Sequence, residues 1–286
     1  MTHDLAPLGI TGATGRLGGR IARLLAEAGV AQRLLVRDLS RAPQLPGATA
    51  VQASFADTEA VAAALQGVRT ALMVSASESP NRLEEHFAFV EGAVRAGVEH
   101  LVYISFSGAA PDCTFTLGRD HYATEQRIRA MGLRFTFLRD NLYADFFPAM
   151  VGEDGLICGP AGDGRVAAVA QDDIADAAAA VLLAAADHAD ATYTLTGPEA
   201  LTLDEVAEII SAATSRDVRY HAETVPEAYE SRAVYGAPDW QVDAWVSTYT
   251  AIAAGELAEV TDDVARLSGH PATSLAELLL RGGSAY

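Results

Sequence analysis

Three glycines spaced three apart, Gly12, Gly15 and Gly18, lie in the run Thr11-Gly12-Ala13-Thr14-Gly15-Arg16-Leu17-Gly18. A short apolar stretch, 8–10, precedes them, and a helical apolar–basic pattern through Ile21, Leu24 and Leu25 follows. Each glycine suits one task of a turn that holds a dinucleotide. Gly12 lets the chain leave a strand with unusual φ. Gly15 lets backbone N–H groups approach a pyrophosphate, and Gly18 lets the helix pack on the strand. Thr14, Arg16 and Leu17 complete the turn and open the helix, whose unpaired N–H groups carry partial positive charge toward phosphate. The spacing is G-x-x-G-x-x-G rather than the commoner G-x-G-x-x-G. An idle glycine turn is the alternative; the strand before, the helix after and the βαβ pattern beyond favour the dinucleotide.

A second set of residues addresses the other parts of such a ligand. Arg37 and Arg41 follow an apolar strand at 33–36. An acid at this strand end suits the ribose 2′-hydroxyl of NAD, whereas arginine suits a 2′-phosphate, which the guanidinium fork matches. NADP(H) is therefore expected, with two alternatives open: Asp38 restores the NAD reading on a shift of one residue, and Arg37 is otherwise an exposed loop charge. Phe55 is placed to cover the adenine or to pack in the core. Ser75 and Ser77 follow a fourth strand at 70–74, and Ser105 closes a fifth at 100–105. Small hydroxyl residues at the carboxyl ends of strands suit a cofactor crevice, and they serve equally as helix caps.

The elements that must position these residues alternate. Strands are expected at 8–10, 33–36, 48–53, 70–74, 100–105, 134–139, 166–170 and 191–196, with helices at 58–65, 82–96, 120–131, 171–186 and 203–214. Such alternation indicates an α/β fold, a doubly wound parallel sheet. Beyond it the chain reads as helical at 225–235, 242–256 and 274–280, while 152–164 is a glycine-rich loop expected over the cleft. Trp240 and Trp245 read as packing residues. The sheet domain is expected over 1–150 with 166–195 returning to it, and a smaller, mostly helical lobe over 151–165 and 196–286.

Composition excludes several partners. A formal net charge of −18 over 286 residues argues against nucleic acid, whose phosphates would be repelled. No apolar run is long enough to span a bilayer. The opening Met1-Thr2-His3-Asp4 has neither the basic nor the apolar part of a signal peptide. Cys113 and Cys158 fit no metal spacing, so no metal is expected, and reduced thiols point to the cytoplasm. The chain contains no lysine, so chemistry that needs a lysine ammonium is closed to it.

These phrases together resemble a known family. TGATGRLGG, LVRDLSRA, HLVYISFSGA and GRDHYATEQRIRAMGLRFTFLRDNLY are similar to the NmrA-like branch of atypical short-chain dehydrogenases. VAQDDIADAAAAVLL, TYTLTGPEALTLDEVAEIIS and AGELAEVTDDVARLSGHPATSLAELL extend the likeness over nearly the whole chain. It is nearest to the bacterial NADPH-dependent quinone oxidoreductases of the type-2 group and to triphenylmethane reductases. The resemblance implies a Rossmann-type domain, an NADP(H) site and a small substrate lobe. It also exposes a departure: most short-chain dehydrogenases use a Tyr-x-x-x-Lys pair. Here the lysine position falls on His121 and the tyrosine position on Leu117, and the neighbouring Tyr122 leaves the helix in another direction.

Two functions follow. In the first, the protein moves hydride from NADPH to a quinone or similar planar acceptor, which needs alignment and dryness more than acid assistance. A pocket of Phe106, Asn141, Tyr143 and Phe146 serves the acceptor, with Asn141 donating to its oxygen. His121 holds the nicotinamide ribose or supplies a proton, oriented and raised in pKa by Glu125 one turn along the helix; a purely structural histidine is the alternative. In the second, the protein binds NADP(H) without turnover and acts as a redox-sensing regulator. Small molecules are the expected partners, with neither membrane nor nucleic acid, and a homodimer is left open.

Overall fold

The structure, a computed structural model, describes residues 6–282; the opening Met1-Thr2-His3-Asp4 lies outside them. In chain order the elements begin with β1 (Leu8–Thr11), α1 (Arg16–Glu27), β2 (Gln32–Val36), β3 (Ala48–Gln52), α2 (Thr58–Ala64), β4 (Thr70–Val74), α3 (Arg82–Arg95) and β5 (His100–Phe106). They continue with α4 (Thr116–Ala130), β6 (Arg134–Asp140), β7 (Leu156–Gly159), α5 (Gln171–Leu183) and β8 (Ala191–Leu195). The last are α6 (Leu203–Thr214), β9 (Arg219–Ala222), α7 (Val225–Arg232), α8 (Asp239–Ala253), α9 (Asp263–Ser268) and α10 (Leu275–Arg281).

The described residues form two compact units, one of 6–105, Asp120–Arg139 and Ile174–Tyr193, the other of Phe106–Arg119, Asp140–Asp173 and 194–282. The seven-stranded sheet has the order β3-β2-β1-β4-β5-β6-β8. β1 pairs in parallel with β2 on one side and β4 on the other, and β2–β3 and β4–β5 are parallel as well. Parallel strands covered on both faces read as continuous apolar runs. β5, HLVYISF, shows this: all seven of its positions are buried. Its Tyr103 joins Phe89 of α3 and Phe137 of β6 in one apolar cluster of the first unit. The strand order reverses between β1 and β4, so the crevice for a ligand lies at their carboxyl ends. Thr11 locks that fork: its Oγ1, in a residue 1% exposed, accepts a hydrogen bond from Val74 N at 2.8 Å.

The second unit has its own two-stranded parallel sheet, β7 with β9, in the register Leu156↔Arg219 to Gly159↔Ala222. Ile157 of β7 packs in a cluster with Val206 and Ile210 of α6, Ile252 of α8 and Leu279 of α10. Here the sequence reading needs correction. The glycine-rich stretch expected as a loop contains β7, whose alternation is too short to stand out, and β9 is a four-residue strand of mostly exposed residues. Residues 166–170, expected as a strand, make only two isolated bridges, Tyr143↔Val169 and Val166↔Leu201. The aromatic segment after β6 winds into a 3-10 helix, Ala144–Met150.

Candidate functional site

The glycine turn after β1 has a shape into which a phosphate fits. Gly12 has φ +69°, and a Cβ there would press on Val74 at 3.0 Å. A Cβ on Gly18 would stand 2.4 Å from the Gly12 carbonyl oxygen, so α1 approaches β1 only because that residue is glycine. Gly15 donates its N–H to Gly12 O at 2.9 Å and caps α1 in an extended conformation. No side chain caps α1, and its first turn holds no acid. A helix start left bare in this way offers its N–H groups to an anion from outside. Thr14, Gly15 and Arg16 are exposed, whereas the Leu17 side chain turns into the core. These residues fit the pyrophosphate of a dinucleotide.

Arg37 and Arg41 are both exposed, and among the described residues no hydrogen bond or ion pair holds either guanidinium. Asp38 is committed elsewhere. Its Oδ1 accepts from Ser40 N at 2.9 Å and Ser40 Oγ at 2.7 Å, capping the 3-10 turn Leu39–Arg41. The Ser40 hydroxyl, then the Ser40 amide, lowers the Asp38 pKa. The residue that argued for NAD is thus used to shape the turn that carries Arg41. Phe55 is half-buried, its ring 4.5 Å from Phe89 and 6.3 Å from His86 between centroids.

Ser75 and Ser77 flank Ala76, and Ala76 is clamped by two side chains one turn apart on α3. His86 Nε2 accepts the Ala76 N–H at 2.9 Å, and Arg82 Nε donates to the Ala76 carbonyl at 3.0 Å. Arg82, 4% exposed, continues into α4: Nη1 donates to Asp120 Oδ2 at 3.3 Å and Nη2 to His121 Nε2 at 2.9 Å. Guanidinium only donates, so His121 Nε2 is an acceptor and the ring proton sits on Nδ1, which points to the Tyr103 hydroxyl at 2.9 Å. The same logic fixes His86. Thr124 Oγ1 donates to Asp120 O at 2.7 Å, so it accepts from His86 Nδ1 at 2.9 Å. Both rings are neutral. Burial, then Arg82, lowers His86 to about 3. Burial, then Arg82, His86 and Arg139, hold His121 well below its ordinary value.

This corrects the expectation for His121. Its pKa falls rather than rises, because a buried cation stands beside it and burial disfavours a second charge. Glu125, expected to hold it, is fully buried and engaged elsewhere. Its Oε1 accepts from Ser105 Oγ at 2.7 Å and Arg139 Nε at 2.8 Å, and its Oε2 from Arg139 Nη2 at 2.6 Å. The Ser105 hydroxyl is therefore bound to Glu125 inside the core. With Nε2 occupied by an arginine donor, His121 has no proton to give at that atom near neutral pH.

The residues expected around the acceptor belong to the second unit. Asn141, 1% exposed, donates from Nδ2 to Leu257 O at 3.0 Å, and its Oδ1 accepts from Leu142 N at 2.8 Å. Its amide ties two segments of the unit together. Phe106 packs on Phe115 with centroids 4.8 Å apart and is 7% exposed. Tyr143 is half-buried, its ring 5.5 Å from that of Phe146, which is 48% exposed. The Tyr143 hydroxyl donates to Asp140 Oδ2 at 2.9 Å.

Residues 7–250 match the NmrA-like family. The chain belongs to this family. Among NmrA-like relatives, the NAD(P)H azoreductase of Xenophilus azovorans is 32% identical over 283 residues, covering 97% of this chain and 98% of its own. The crystal structure of the NADPH-dependent quinone oxidoreductase of Escherichia coli, complexed with NADPH, matches with a TM-score of 0.87. Its identity is 30%, covering 96% of this chain and 99% of that one. The triphenylmethane reductase of Citrobacter sp., complexed with NADP(H), matches with a TM-score of 0.84 at 31% identity, covering 96% and 99%.

Sequence reasoning missed Arg82, His86, Tyr103 and Asp140. The available signals were a tyrosine inside the apolar run of β5, Arg82 and His86 four apart on one helix face, and Asp140 three residues before Tyr143. The partners of Arg82, His86 and Tyr103 lie on other elements, which one-dimensional spacing does not bring together.

Proposed function

We propose that this NmrA-like protein is an NADPH-preferring oxidoreductase that passes hydride to a quinone or a similar planar acceptor. The observation that carries the reading is the uncapped α1 start at the β1–β4 fork, together with two exposed arginines and an Asp38 already committed to Ser40. Bound NADPH supplies the hydride. The protein's own groups do the rest. The N–H groups around Gly15 hold the pyrophosphate, and Arg37 and Arg41 hold the 2′-phosphate by charge-assisted bonds. Ser75 and Ser77 line the crevice on a loop that α3 keeps in place through Ala76. Neutral His121 fixes Arg82 rather than moving protons. The second unit supplies an aromatic face, Tyr143 and Phe146, on which a flat acceptor stacks.

Support for the chemistry comes from the near full-length similarity to reductases of quinones, azo compounds and triphenylmethane dyes. We assign the cofactor domain to 1–150 with 166–195 and the smaller substrate lobe to 151–165 and 196–286, with Tyr143 and Phe146, at the end of the first segment, also serving the acceptor. No described helix is long and apolar enough to cross a membrane, and Cys113 and Cys158 are free thiols, which fits a reducing cytoplasm. The test is direct. Purified protein is mixed with NADPH or NADH and a panel of benzoquinones, naphthoquinones, azo dyes and cationic triphenylmethane dyes, and the nicotinamide absorbance is followed. Acceptor-dependent oxidation with NADPH preferred is expected. Tight NADPH binding by calorimetry with no turnover of any acceptor favours the regulator instead.

A further inference from the structure

Asp140 has no part in the reaction so far. It closes β6, is 3% exposed, and its Oδ2 lies 2.9 Å from the Tyr143 hydroxyl oxygen. A carboxylate removed from water is unfavourable unless cations or several donors surround it. Burial pushes the Asp140 pKa well above the usual carboxylate range; the Tyr143 hydroxyl and a backbone N–H act the other way without cancelling it. Burial thus favours the neutral acid, the form in which the pair carries two protons, one on each residue. When the acid proton sits on Oδ2, the bond reverses: Asp140 donates to the phenol oxygen, and the Tyr143 O–H turns away from Asp140. Tyr143 is the half-buried member and packs at a tilt beside the exposed Phe146.

We propose that Asp140 and Tyr143 form a proton relay that serves acceptors reduced to an oxyanion, a proposal that rests on the oxidoreductase reading above. Hydride addition to a quinone brings two electrons and leaves one acceptor oxygen as an anion. The O–H bond of Tyr143 breaks toward that oxygen, and the carboxylic O–H of Asp140 breaks toward the phenolate. The resulting Asp140 carboxylate then takes a proton from water. The balance is one hydride and one proton per quinone, giving the hydroquinone. Tyr143 touches the acceptor and is a catalytic residue; Asp140 acts through it. A cationic triphenylmethane dye needs no relay, because hydride on its central carbon gives a neutral product without a proton.

This difference supplies the test. Wild type, Asp140→Asn and Tyr143→Phe are assayed with NADPH against a naphthoquinone and a cationic triphenylmethane dye. General acid catalysis is worth about 10²–10⁴ in rate, so each variant should lower the ratio of quinone kcat to dye kcat by about tenfold or more. The double variant should fall no further than the singles, as expected for residues acting as one unit. A second readout needs no turnover. The cofactor-free protein at pH 7 should show the infrared carbonyl band of a protonated carboxylic acid, shifted in deuterium oxide and missing in Asp140→Asn. A ratio unchanged in Tyr143→Phe, or no such band, overturns the relay alone. Turnover of neither acceptor by the wild type overturns the oxidoreductase reading and the relay with it. Tyr143→Phe, at a half-buried position, keeps the test decisive should Asp140→Asn fail to fold.

Discussion

Replacing Arg82 by methionine keeps the aliphatic stem of the side chain and removes the guanidinium that joins the loop after β4 to α4. Three acceptors lose their donor: the Ala76 carbonyl, His121 Nε2 and Asp120 Oδ2. They are not equal. The His121 bond is buried, so an orphaned Nε2 costs about 1–3 kcal/mol. The Ala76 carbonyl is partly accessible and contributes less. Asp120 keeps 26% of its side chain in solvent and rehydrates, so it adds little. The desolvation penalty of the arginine itself is relieved. The sum is a loss of about 2–4 kcal/mol, read as a lower urea midpoint at unchanged slope. Arg82→Lys, which keeps the charge but has a single nitrogen for three diverging acceptors, should lose about half as much. The loss should also appear as faster hydrogen exchange at Ala76, whose second anchor is gone. A methionine variant within about 0.5 kcal/mol of the wild type, the scatter of ordinary surface changes, would refute the clamp.

Other consequences are as specific. Arg37→Ala should weaken NADPH binding about tenfold or more, since a charge-assisted bond is worth about 1.5–3 kcal/mol, and leave NADH nearly unchanged; equal losses by calorimetry would show that Arg37 does not meet the 2′-phosphate. Gly18→Ala drives a methyl against the Gly12 carbonyl at 2.4 Å, so NADPH affinity should collapse while the far-ultraviolet circular dichroism holds; retained affinity would mean the turn does not cradle phosphate. His86 titrates at about 3 in the fold against an ordinary 6.5. Because the unfolded chain binds its proton first, the contribution is complete above pH 6.5 and shrinks as pH falls toward 3. The stability of wild type relative to His86→Gln should therefore decline by up to about 1.4 kcal/mol per pH unit in that window. Parallel pH curves for the two proteins would show that His86 is not held neutral.

The sheet was legible because its signals are local. The strand–glycine–helix run at 8–25 and the alternation from there through β6 carry their own period, and both appear as read. The glycine turn shared this advantage, since the positive φ of Gly12 and the close approach at Gly18 are matters of backbone shape, and Arg37 and Arg41 follow β2 as exposed charges. Asp38 shows the limit: nothing in its sequence neighbourhood says whether its carboxylate faces a ribose or Ser40. The direction of the His121 shift was misread for a related reason. A glutamate one turn away on the same helix is visible in the sequence, but an arginine from α3 is not. β7 and β9 escaped because four-residue strands with exposed positions have too little pattern, and their partners, Leu156 with Arg219 to Gly159 with Ala222, are 63 residues apart in the chain.

The clamp on Ala76 has a bearing on how fast a ligand enters and leaves. A loop residue with both backbone groups hydrogen-bonded to buried side chains is already fixed before anything binds. Ordering a free residue costs about 1–2 kcal/mol of backbone entropy, and a crevice whose wall is set in advance does not draw that from the binding energy. In the proposed function, a ligand on this side of the fork meets a loop whose middle residue, Ala76, is already held at both backbone groups. Residence time then falls to the phosphate contacts of the glycine turn and of Arg37 and Arg41: the wall would select by shape, and the charges would set how long the ligand stays.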